Sequence, residues 1–67
     1  MAEGSERPAW LARYDGLSVD EIMTLAREES RVVRVLRPDD AMTLEWRPDR
    51  LDVFLDDAGQ VRRIDHG

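Results

Sequence analysis

The apolar residues of this chain change their period part-way along it. Between Leu17 and Ser30 they recur at helical spacing, with Val19, Ile22 and Ala26 on one stripe and Met23 and Leu25 widening it at the flanks. The segment opens on Leu17-Ser18-Val19-Asp20-Glu21-Ile22. There the Ser18 hydroxyl is placed to accept from the Glu21 backbone N–H, and the Glu21 carboxylate to accept from the Ser18 N–H. Leu17 and Ile22 occupy the two positions of a hydrophobic staple, and Asp20 and Glu21 sit at the positive end of the helix dipole. The pattern predicts one amphipathic helix of about three turns that ends near Glu29 or Ser30.

After the helix the period shortens. Residues 31–36 are rich in β-branched side chains (Val32, Val33, Val35) and read as a strand. Residues 50–55 alternate Leu51, Val53 and Leu55 against Asp52 and Phe54, the signature of a strand with one face inward. Asp56-Asp57-Ala58-Gly59 is a turn signal, with Gly59 suited to the left-handed position of a type I turn plus bulge, and residues 60–64 close a hairpin. The opening residues are polar, contain Gly4 and Pro8 and show no period, so residues 1–9 read as a flexible tail and order begins at Trp10 and Leu11. The expectation is a single α+β domain over residues 10–67, its one helix packed on one face of a small sheet.

Sixty-seven residues allow one small domain, and the absence of cysteine excludes a disulfide framework and any thiolate metal site. Ten basic against 15 acidic residues give a net charge of −5, which argues against nucleic acid or an anionic membrane as partner and favours a soluble monomer. Every basic residue is Arg, a bias that codon composition explains without any function. The chain has neither a membrane-spanning run nor the apolar region of a secretory signal, from which a cytoplasmic location is expected. His66 has no partner at ligand spacing, and the Asp39-Asp40 and Asp56-Asp57 pairs lack the spacing of a calcium loop and suit turns. With no phosphate loop, nucleophile–base pair or paired-carboxylate constellation, the sequence predicts neither an enzyme nor a cofactor or metal.

One segment asks for a function. Residues 37–48 form a long connection for so small a domain, bounded by Pro38 and Pro48, which remove backbone donors and disfavour a ladder. Within it Met42, Leu44 and Trp46 alternate with polar neighbours, which a disordered linker would avoid. The residues alone leave two readings open: a further strand with Met42, Leu44 and Trp46 facing the core, or an exposed recognition loop that offers them to a partner.

The run from Thr43-Leu44-Glu45-Trp46-Arg47-Pro48-Asp49-Arg50 through Leu51-Asp52-Val53-Phe54-Leu55-Asp56, with the capped helix at Ser18 and the glycine at Gly67, resembles the potato inhibitor I family of serine-protease inhibitors. The residues 34–52 look closer still to that family's microbial relatives, and the similarity spans about residues 14–67. The resemblance implies one helix on a small mixed sheet, with a long exposed binding loop between two parallel strands. It implies a protease-binding loop of Met42, Thr43, Leu44, Glu45, Trp46 and Arg47, in which Thr43 is P2, Leu44 P1, Glu45 P1′ and Trp46 P2′. Leu44 would then enter the S1 pocket of a subtilisin- or chymotrypsin-like protease, and Leu44–Glu45 would be the reactive bond. Arg50 and Gly67 would support the loop from below, the Arg50 fork reaching the Glu45 carboxylate and the Thr43 hydroxyl. Asp52 stands where the family often has a second arginine, for which Arg47 could partly substitute; without the resemblance, Glu45, Arg47 and Arg50 read as an exposed ion-pair cluster. His66 stands where the microbial relatives commonly have cysteine. The alternative function is a non-inhibitory binding module that keeps this scaffold and anchors another partner through Leu44 and Trp46.

Overall fold

The computed structural model of the protein describes residues 7–40 and 46–67. A 3-10 helix, Ala9–Tyr14, leads into helix α1, Val19–Glu28, followed by strands β1 (Val33–Leu36), β2 (Leu51–Leu55) and β3 (Val61–His66). The sheet has the order β1-β2-β3. Parallel β1 and β2 pair in the register Val33↔Leu51 to Leu36↔Phe54, and β3 lies antiparallel on the other side of β2. The predicted α+β class and the mixed sheet with its parallel pair are what the chain forms.

Local chemistry explains the helix limits. At the N-terminus the reciprocal cap is complete: Glu21 N–H donates to Ser18 Oγ at 3.2 Å and Ser18 N–H donates to Glu21 Oε1 at 2.9 Å. At the C-terminus Arg31 N–H reaches the Ala26 carbonyl at 2.8 Å and Ser30 N–H the Arg27 carbonyl at 3.2 Å. These are the two bonds of a Schellman motif, which needs a left-handed residue after the cap, and Ser30 supplies it at φ 56°.

The core lies between helix and sheet. Leu11, Tyr14, Ile22, Ala26, Leu51, Val53 and Leu55 form one buried cluster, with Trp10, Leu17, Val19, Leu25, Val33, Val61 and Ile64 packed around it. Each large aliphatic side chain buried there contributes about 1.5–3 kcal/mol. The alternation predicted for β2 places Leu51, Val53 and Leu55 inward. Its opposite face is not open to water, because Asp52 is buried and the Arg63 guanidinium lies 3.9 Å from the centre of the Phe54 ring.

The structure differs from the sequence expectations at three places. The 3-10 helix was not foreseen; it carries two core side chains, Leu11 and Tyr14. Strand β1 begins at Val33 rather than at residue 31, because Arg31 N–H is committed to the helix cap. Strand β3 runs on to His66 instead of ending at Ile64, since Asp65 and His66 pair with Asp52 and Leu51. The hairpin turn is as read: Gly59 has φ 81°, and Asp56 Oδ1 accepts from the N–H groups of Ala58 and Gln60, each at 2.9 Å.

Candidate functional site

The parallel pairing of β1 and β2 requires the chain between Leu36 and Leu51 (the segment singled out in the sequence) to return from the Leu36–Phe54 end of the pair to its Val33–Leu51 end. Its entry is a turn: Asp40 N–H donates to the Arg37 carbonyl at 3.0 Å and Arg37 N–H to Asp40 Oδ2 at 2.9 Å. Met42, Thr43, Leu44 and Glu45 lie outside the described residues. Its exit, from Trp46 to Arg50, lies among the described residues. The last turn closes on Arg50 N–H and the Arg47 carbonyl at 2.9 Å.

That exit is fastened to the end of β3. The Trp46 indole rests on the Gly67 backbone so closely that a Cβ there would lie 2.5 Å from Nε1, and its ring meets His66 edge-on at 6.1 Å between centres. His66 Nδ1 lies 3.2 Å from the Pro48 carbonyl, and Gly67 N–H donates to the Arg50 carbonyl at 3.1 Å. On the β1 side, Arg31 Nη1 donates to the Asp49 carbonyl at 3.2 Å and Leu51 N–H to the Val32 carbonyl at 2.9 Å. Despite these contacts the Trp46 side chain stays 64% exposed. For Trp46 the core-facing reading is therefore overturned: it belongs to no strand and covers the surface of residue 67 rather than the interior.

Beneath the exit sits a charged cluster. Arg50 is only 7% exposed, and its Nε donates to Gly67 O at 3.0 Å and lies 3.6 Å from Asp52 Oδ1. Asp52 receives a two-pronged contact from Arg34 on β1, Nε to Oδ1 at 3.2 Å and Nη2 to Oδ2 at 3.1 Å. Arg34 Nη2 also approaches Gly67 O at 3.5 Å. Two guanidiniums thus converge on one buried carboxylate and one oxygen of residue 67. Arg50 and Gly67, both singled out from the sequence, are brought together, and the exposed-cluster alternative fails for Arg50 because of its burial. Arg47 is exposed at the closing turn.

Sequence reasoning missed Arg34 and the part His66 plays as a prop. Arg34 becomes visible once the parallel register is known, since it is the direct partner of Asp52. Among the described residues no three His, Cys, Asp or Glu side chains are grouped so as to hold a metal ion. No helix among the described residues is long and apolar enough to cross a membrane.

No curated protein matches the chain. Residues 14–67 match the peptidase inhibitor I78 family. The resemblance to a family of peptidase inhibitors is thereby supported, while the family matched is not the potato inhibitor I family. The match begins at Tyr14 and takes in α1, all three strands and the fastened exit, and so this chain belongs to the peptidase inhibitor I78 family.

Proposed function

We propose that the protein inhibits a serine protease of the subtilisin or chymotrypsin type by offering residues 42–47 as a substrate held in its bound shape. In this reading Leu44 fills the S1 pocket and Leu44–Glu45 is the bond the protease attacks. The proposal combines membership of an inhibitor family with the likeness of residues 43–56 to potato inhibitor I loops. The single observation that carries it is the loop exit, where Trp46 is seated on Gly67 and the Pro48 and Arg50 carbonyls are bonded to His66 and Gly67 at the end of β3, while the indole faces solvent.

A backbone ordered beforehand loses little conformational entropy when the protease closes on it, so more of the contact energy appears as affinity. After acylation of the protease serine at Leu44, the new amino group of Glu45 would remain tethered through Trp46 to the scaffold. Religation would then compete with hydrolysis, because the leaving amine never diffuses away. A leucine side chain gains about 1.5–3 kcal/mol in an apolar pocket. It does not satisfy the acid at the base of a trypsin S1 pocket.

The test is titration of subtilisin, chymotrypsin and elastase with the parent protein and with Leu44→Asp, followed by intact-mass analysis of the complex. The parent is expected to inhibit at least one of the three and to be nicked slowly at Leu44–Glu45. Leu44→Asp is expected to bind at least about a hundredfold more weakly, since a carboxylate in an apolar pocket is strongly disfavoured. Absence of inhibition of all three at micromolar parent, or nicking at another bond, overturns the reading.

A further inference from the structure

We propose that Arg34 is a positioning residue for the binding segment, acting through Asp52 and residue 67 on Trp46. Its consequence for a protease rests on the inhibitory reading above, whereas its geometric effect does not. Arg50 and Arg34 both point at Gly67 O, at 3.0 and 3.5 Å. Two cations converge there because the Asp52 carboxylate lies between them, 4% exposed, 3.1 Å from Arg34 Nη2 and 3.6 Å from Arg50 Nε. The planar Arg34 fork takes both carboxylate oxygens, which fixes the rotation of Asp52 as a single point charge would not. The carboxylate so fixed lies beside Arg50, and Arg50 with Arg34 holds Gly67 O. The Gly67 backbone in turn is the floor under the Trp46 indole.

The carboxylate at position 52 is thus part of a relay that places the second guanidinium on the neighbouring strand. Arg34 and Asp52 are direct partners in the parallel register, so their pairing requires no loop rearrangement.

The test compares Arg34→Met, which keeps an apolar stem but removes the fork, with Arg34→Lys, Asp52→Leu and the double variant Arg34→Met/Asp52→Leu. Replacing a buried ion pair by apolar residues is often neutral for stability, so the double variant separates folding from positioning. Three quantities are measured: the thermal midpoint, the Trp46 indole N–H signal by NMR with Trp10 as internal control, and the hydrolysis rate of Leu44–Glu45 at equimolar protease. Arg34→Met is expected to shift and broaden the Trp46 signal and to raise hydrolysis at least about tenfold, the scale of one lost charge-assisted hydrogen bond. Arg34→Lys is expected to recover the midpoint better than the indole signal. The double variant is expected to have a midpoint above that of Asp52→Leu alone, because only one guanidinium then remains beside the apolar residue 52, yet still be cleaved quickly. An unchanged Trp46 signal in a folded Arg34→Met or double variant overturns the proposal, as does parent-like hydrolysis where the parent inhibits. If the parent does not inhibit at all, the inhibitory reading alone fails, and the indole signal still decides the role of Arg34.

Discussion

Gly67 shows how one missing side chain can govern a surface. Its φ of 134° lies where an L-residue is strained, and the space its Cβ would need is filled by the Trp46 indole at 2.5–2.7 Å. Gly67→Ala therefore meets two penalties together. Backbone strain of this kind costs about 1–3 kcal/mol, and relief of the clash requires Trp46 to leave its seat. We expect a lower thermal midpoint and a changed Trp46 emission, read in a Trp10→Phe background so that a single indole reports. An alanine variant with the parent midpoint and spectrum would mean that the indole is not held by residue 67. The same residue illustrates what a sequence conveys: its glycine was noticeable only through the family resemblance, because its need arises from a tryptophan that packs on it from 21 positions earlier.

Among the elements, α1 was legible to within a residue at both ends because its determinants are local. The capping box spans residues 18–21, and the stripe of Val19, Ile22 and Ala26 is read directly from the spacing. The hairpin was legible for the same reason, Asp56 and Gly59 being a self-contained turn. Non-local pairing was not: the extension of β3 to His66 depends on β2 as a template, and the 3-10 helix on the core that receives Leu11 and Tyr14. The Arg34–Asp52 contact belongs to the same class, since nothing in either strand announces its register. One local feature carries a prediction of its own. Ser30 occupies the left-handed position of the Schellman motif, where most helices place glycine. A non-glycine residue in that conformation is disfavoured by about 1–2 kcal/mol, offset in part by the greater flexibility glycine has when unfolded. Ser30→Gly is expected to raise stability by up to about 1 kcal/mol in chemical denaturation, with α1 unchanged. A loss of stability there would show that the Ser30 side chain contributes more than the strain removes.

At the scale of the whole molecule, the composition leaves the alkaline side of the stability curve almost to one group. The chain has no lysine and no cysteine, its ten basic side chains are all arginines, and Tyr14 is its one tyrosine. Arginine keeps its proton beyond pH 12, so the Tyr14 phenol is the one side chain whose ordinary value lies in the alkaline range. Its ring is fully buried in the core, and its hydroxyl donates to Glu29 Oε1 at 2.6 Å, tying the 3-10 helix to the end of α1. Burial first, and the bond to the Glu29 carboxylate next, push the phenol above its ordinary value of 10.0. The sign follows from proton counting. Above pH 10 the unfolded chain has released the phenolic proton while the folded chain still holds it, so unfolding releases a proton and stability falls as pH rises. Below pH 10 both states are protonated and Tyr14 adds no slope. The steepest fall one proton can give is about 1.4 kcal/mol per pH unit, and it levels off once pH passes the raised folded value. Denaturation free energies between pH 8 and 12 should therefore be flat and then decline. Tyr14→Phe should start lower by about 1–2 kcal/mol for the lost hydrogen bond and remain flat throughout that range. A decline that persists in Tyr14→Phe would place the alkaline sensitivity elsewhere than in the clasp between the 3-10 helix and α1.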